Sequence, residues 1–146
     1  MGSSDYASGG PLCTPVSSVV YAFRRYNRAV YSAEILDHFQ HPRNTGDLDA
    51  TAPSVQMENP ACGDILKLSL KLEGGRIADI RFRAQGCVPA IACGSAITEL
   101  VKGKTVEEAQ QISREDLLQK VGGVPDASSH ASHLAVDTLR ALLRGL

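Results

Sequence analysis

The stretch from Ile65 to Ala84 constrains the fold of this chain more than any other. I-L-K-L-S-L-K-L (65–72) alternates apolar and polar residues, with Leu66, Leu68, Leu70 and Leu72 on one side. E-G-G-R (73–76) supplies a turn, and I-A-D-I-R-F-R-A (77–84) alternates again with Ile80 and Phe82 inward. Strand side chains point to opposite faces with a period of two, so each half presents one apolar face. Two such runs joined through paired glycines predict an antiparallel hairpin. Its apolar face has to be covered by other elements. Residues Ser54 to Glu58 form the candidate third strand.

The cover is read as helical. Ser32 can cap a helix in which Ile35, Leu36 and Phe39 share a face, ended by Pro42 and Gly46. Beyond Cys87 the period changes to that of a helix, through A-I-T-E-L-V-K-G-K to a stop near Gly103. Thr105 with Glu108, and Ser113 with Asp116, have capping-box spacing and predict two more helices. A last helix is predicted from about His130 to Leu143, with Leu134, Leu139 and Leu142 or Leu143 apolar. Strands first and helices later predict an α+β domain, a small three-stranded antiparallel sheet with helices packed on one face. At 146 residues and 43% apolar content the chain can build one such core.

A formal net charge of −1 argues against the strongly basic face that nonspecific nucleic-acid binding needs. The apolar runs are too short to cross a bilayer. Neither nucleic acid nor membrane is therefore an expected partner. Residues 1–28 have a different composition, with small turn-forming residues followed by Arg24, Arg25 and Arg28, and Asp5 as their only acid. They are expected to form a flexible N-terminal extension ahead of a domain at 29–146. A cytoplasmic location is expected, or a mitochondrial one if that extension is a transit peptide.

The four cysteines are Cys13, Cys62, Cys87 and Cys93. A core of this size needs no disulfide framework, and in a reducing compartment cysteines in glycine-rich turns point to metal binding or reactivity. N-P-A-C-G-D (59–64) sets Cys62 in a turn just before a strand, with Asp64 two residues on. In extended chain the two share a side, and a thiolate beside a carboxylate calls for a cation between them. The alternative is a turn cysteine with an aspartate capping its own loop. A-Q-G-C-V-P (84–89) ends the hairpin and opens a helix, so Cys87 falls at a helix N-terminus, where the dipole favours thiolate. Hairpin topology brings Cys62 and Cys87 to the same end of the sheet. Cys93, six residues further on among small residues, reads as a buried structural cysteine. His130 and His133, in S-S-H-A-S-H-L (128–134), stand one turn apart at the start of the last helix, where Ser128 or Ser129 can cap.

Y-S-A-E-I-L-D-H-F-Q-H-P-R-N-T-G, N-P-A-C-G-D, F-R-A-Q-G-C and T-E-L-V-K-G-K-T, in that order, resemble the IscU/NifU N-terminal type of iron–sulfur cluster assembly scaffold. The resemblance spans about residues 31 to 144. It implies a protein, not an enzyme, that transiently holds a [2Fe–2S] cluster, with Zn²⁺ or Fe²⁺ as alternative occupants. It implies a cysteine desulfurase as sulfur source and apo iron–sulfur proteins as recipients. Carried over position by position, it makes Cys62, Asp64, Cys87 and His130 the ligands, with Cys93 and His133 as substitutes. The family pattern pairs the histidine with a following cysteine, and here Ala131 stands in its place. That cysteine is associated with accepting persulfide, so the resemblance supports cluster holding more than sulfur acceptance. V-P-D-A-S (124–128) replaces the stretch that an Hsp70 chaperone reads, so that partnership is not carried over. Two other roles stay open: a zinc-dependent sulfur-transfer partner of the desulfurase, with Cys87 as acceptor, and a degenerate zinc domain that regulates it.

Overall fold

The computed structural model describes residues 31–146; the N-terminal extension and the first two residues of the expected domain lie outside them. The alternating runs form β2 (Ile65–Glu73) and β3 (Arg76–Gln85), and β1 (Ser54–Glu58) pairs with β2. The sheet order is β1-β2-β3, antiparallel throughout. Leu66, Leu68, Leu70, Ile80 and Phe82 are all buried on the face that the helices cover. Leu72 departs from the expected row and is 38% exposed. The register shifts between Lys71, paired with Asp79, and Leu72, paired with Ile77, so β3 carries one extra residue, Ala78. The extra residue changes the parity of β3, so that Ile77 as well as Ile80 is buried, while Leu72 lies beside the Gly74–Gly75 turn at the open end of the hairpin.

Five helices and a short 3₁₀ turn complete the described residues: α1 (Ala33–Gln40), α2 (Val88–Val101), α3 (Val106–Gln110), α4 (Arg114–Val121), the turn Asp126–Ser128, and α5 (Ser129–Arg144). Ser32 caps α1 by accepting from the Ile35 N–H at 3.0 Å. The buried face of α1 holds Ile35, Leu36 and His38; Phe39 is only half-buried. Both predicted capping boxes are complete, at α3 and at α4. Serine does not cap α5: the side chain of Ser128 makes no capping bond, and the 3₁₀ turn leads the chain in instead.

α2 is the central helix. Ala90, Ala92, Cys93, Gly94, Ser95 and Ala96 are buried around its circumference, as expected of a helix enclosed by sheet and neighbours. The small side chains let it lie close to the sheet. A methyl on Gly94 would stand 2.8 Å from the Phe82 ring. The outer edge of β3 is blunted by the 44–46 loop, where the Phe82 N–H donates to the Asn44 carbonyl (2.9 Å) and the Gly46 N–H donates to the Phe82 carbonyl (3.0 Å). Among the described residues no helix is long and apolar enough to cross a membrane.

Candidate metal centre

Ile65 at the start of β2 pairs with Gln85 at the end of β3, so the turn before one strand and the helix after the other meet at one end of the sheet. The turn is organised by Asn59. Its carbonyl accepts from the N–H groups of Cys62 (3.3 Å) and Gly63 (2.7 Å), and its N–H donates to the Asp64 carbonyl at 2.8 Å. Its side-chain oxygen accepts from the Ala61 N–H at 3.0 Å. This is the loop-capping role the sequence left open for Asp64. Gly63 takes φ 75°, which glycine adopts without strain, and so the turn leaves Cys62 exposed and swings Asp64 inward to 3% exposure.

Asp64 is the hub. One carboxylate oxygen accepts from the Cys87 N–H at 3.3 Å, and the other from the Cys87 thiol at 3.3 Å. That second oxygen lies 3.1 Å from Nε2 of His130. Cys87 is the N-cap residue of α2 and has no side-chain cap of its own, so the carboxylate of Asp64 supplies the negative group that a helix N-terminus favours. Burial works to raise the Asp64 pKa. The hydrogen bonds from the Cys87 and Cys62 thiols and the Cys87 N–H, with the nearby His130, outweigh it and hold the carboxyl below its ordinary value.

The Cys87 thiol corrects an expectation. Its place at the helix N-terminus favours thiolate, yet its pKa is pushed up to about 11. Burial is the largest cause; the backbone hydrogen bond at Ala90 pulls the other way, and the Asp64 carboxylate and Cys62 reinforce burial. One backbone N–H does not offset desolvation beside a carboxylate. Coordination by a cation reverses this balance, because it satisfies the carboxylate and the sulfur together.

The ligand atoms of Cys62, Asp64 and His130 lie within 4.8 Å of one another. Cys87 joins them through Asp64 and through a 3.9 Å approach of its sulfur to His130 Nε2. Two sulfurs, an oxygen and a nitrogen thus converge, a set that suits tetrahedral Zn²⁺ or tetrahedral iron. The structure gathers these four residues and leaves two others aside. Cys93 is wholly buried in α2, and burial pushes its thiol up to about 12. His133 is exposed and lines a cleft of about 270 Å³ with Met57, Glu58, Asn59 and His130, outside the donor group. Ala131 is 1% exposed and packs in the core. Sequence reasoning missed Asn59, for which Asn-Pro at the head of a turn was the available signal.

Comparisons with known proteins identify the family and the fold. The profile of the NifU-like N terminal domain matches residues 30–144. The "Iron-sulfur cluster assembly scaffold protein IscU 1" of Archaeoglobus fulgidus is 43% identical over 111 residues, covering 76% of this chain and 72% of that protein. The protein named "Iron-sulfur cluster assembly scaffold protein IscU" in Escherichia coli (strain K12) is 40% identical over 117 residues, covering 77% of this chain and 91% of the relative. Among solved structures, the N-terminal part of a nitrogen-fixing NifU-like protein from Brucella abortus superposes with a TM-score of 0.67 at 19% identity, covering 79% of this chain and 92% of that one, which speaks for the fold.

Proposed function

The chain belongs to the family of NifU-like N-terminal domains, and from that premise we propose that it is a scaffold that holds an iron–sulfur cluster transiently and passes it to apo-proteins. The observation that carries this is the convergence of Cys62, Asp64, Cys87 and His130 at one end of the sheet. A [2Fe–2S] cluster needs four terminal ligands, and imidazole can replace thiolate among them. A single Zn²⁺ or Fe²⁺ fits the same set. The role is binding and transfer rather than catalysis.

The donors differ in how firmly they are placed. Asp64 and Cys87 are fixed by the sheet end and the helix N-terminus, whereas Cys62 is exposed on its turn. A carboxylate oxygen holds iron less tenaciously than a thiolate does, which suits cargo that has to leave. Cys62 is also the thiol within reach of a sulfur donor such as a cysteine desulfurase. Its thiolate attacks the outer sulfur of the donor's persulfide, that sulfur moves to Cys62, and the donor leaves as thiolate. The sulfur-transfer alternative built on Cys87 is weaker, because that thiol is half-buried whereas Cys62 is exposed.

Anaerobic reconstitution with ferrous iron, sulfide and thiol tests the proposal. Visible charge-transfer bands are expected to develop and then to move to an added apo-ferredoxin. A colourless protein that keeps zinc instead would contradict it.

A further inference from the structure

Most glycines with positive φ in this domain serve turns and have open space where a side chain would go. Gly46, Gly63, Gly74, Gly75, Gly103 and Gly123 each have no atom within 4 Å of the position a Cβ would occupy. Gly86 is different. Its φ is +147°, and a Cβ there would lie 2.2 Å from Oδ1 of Asp64, 2.6 Å from its Cγ and 3.1 Å from its Cβ. The carboxylate rests directly against the bare α-carbon.

Asp64 has nowhere to retreat. It is 3% exposed, its two oxygens are engaged by the Cys87 N–H, the Cys87 thiol and His130, and its own carbonyl accepts from the Asn59 N–H. A side chain at position 86 either expels the carboxylate or shifts the 86–87 backbone that carries the N–H bonded to it. Both separate Asp64 from Cys87.

We propose that Gly86 is a positioning residue, the seat that holds the Asp64 carboxylate at the centre of the donor set. Gly86 touches no cargo and acts through Asp64. The consequence for metal binding rests on the reading of Asp64 as a donor given under Proposed function. The seat itself rests on packing and is tested without metal.

The test uses four full-length chains: wild type, Gly86→Ala, Asp64→Ala and the double variant. Thermal melting of the metal-free proteins is measured first, then Co²⁺ binding by its d–d and thiolate charge-transfer bands. The backbone cost of alanine at φ +147° is common to both backgrounds and cancels in the cycle. Gly86→Ala is expected to lower Tm by several degrees in the wild type and by clearly less in Asp64→Ala, where only the 3.1 Å Cβ contact remains. It is also expected to weaken Co²⁺ binding by about 10- to 100-fold, with no further loss when added to Asp64→Ala. Equal Tm losses in the two backgrounds overturn the proposal. If Gly86→Ala does not fold, folding of the double variant is the expected rescue, and its failure to fold overturns the proposal too. Coupling in Tm with unchanged Co²⁺ affinity for Gly86→Ala upholds the seat and removes Asp64 from the donors.

Discussion

His38 and His130 each lie between a carboxylate and a small polar side chain, at different places in the same domain. His38 Nδ1 is 2.8 Å from the Ser95 hydroxyl, and its Nε2 is 3.5 Å from Glu99. Glu99 is also paired with Arg43 (3.8 Å) and Lys120 (3.3 Å), and the Arg43 N–H donates to Ser95 at 2.9 Å. His130 faces Asp64 and the Cys87 sulfur, and the remaining members of its group are thiols. The first cluster is closed by cations and hydroxyls, which repel or ignore a metal. The second is closed by exchangeable thiol protons, which a metal displaces. A histidine near a carboxylate is thus suited to brace or to ligate according to what completes its surroundings.

Substitution separates the two clusters, and the largest effect is expected at the sulfur. Cys87→Ser is predicted to weaken Co²⁺ or Zn²⁺ binding by more than the ~100-fold that an outer-sphere change costs, measured by competition with a chromophoric chelator. The metal-free melting temperature should change little. Ser95→Ala is the mirror experiment. It strands His38 Nδ1 and the Arg43 N–H in a buried site, which is predicted to cost about 1–3 kcal/mol in chemical denaturation. Its metal affinity should equal that of the wild type; a large loss of affinity would break the distinction.

Proton linkage gives a smaller effect. The Cys87 thiol is at about 11 in the folded chain against an ordinary 9.0, so its contribution to stability is complete below about pH 9 and is lost as pH rises toward 11. Metal-free denaturation midpoints should therefore fall across that range, less steeply in Cys87→Ser, with the remaining slope assigned to Cys93, pushed up to about 12. A slope unchanged by Cys87→Ser would remove Cys87 from the account.

The smallest effect is at the brace. Burial, followed by the charge of Arg43, lowers the His38 pKa from 6.5. Its stabilising contribution is present above that value and is lost as pH falls through the lowered one, because the unfolded chain takes up the proton first. His38→Gln should flatten the acid side of the stability profile below about pH 6.5.

What the sequence disclosed follows the same division between local and long-range causes. The hairpin, the α1 cap at Ser32 and the two capping boxes were legible because each is decided within a few residues. Ile77 joins Ile80 in the core because a bulge at Ala78 changes the parity of β3, and alternation carries no sign of a bulge; Leu72 was expected in the buried row and is partly exposed at the turn end of β2. Phe39 was expected inward where His38 is, because the hydrogen-bond partner of His38, Ser95, lies 57 residues away. Cys62 and Cys87 were brought together by topology alone. The protonation of Cys87 was not legible, since burial and the approach of Asp64 are properties of the assembled site. Gly86 reads in the sequence as a turn glycine, and only packing reveals the carboxylate against it.

Under the proposed function, Cys62, Asp64, Cys87 and His130 form one metal centre. X-ray absorption at the zinc edge, on the full chain loaded with one equivalent of Zn²⁺, reads that donor set. Two sulfurs at about 2.3 Å and two lighter nitrogen or oxygen donors at about 2.0–2.2 Å are expected, with one sulfur lost in Cys87→Ser. A shell of three or more sulfurs, or one unchanged by Cys87→Ser, would contradict it.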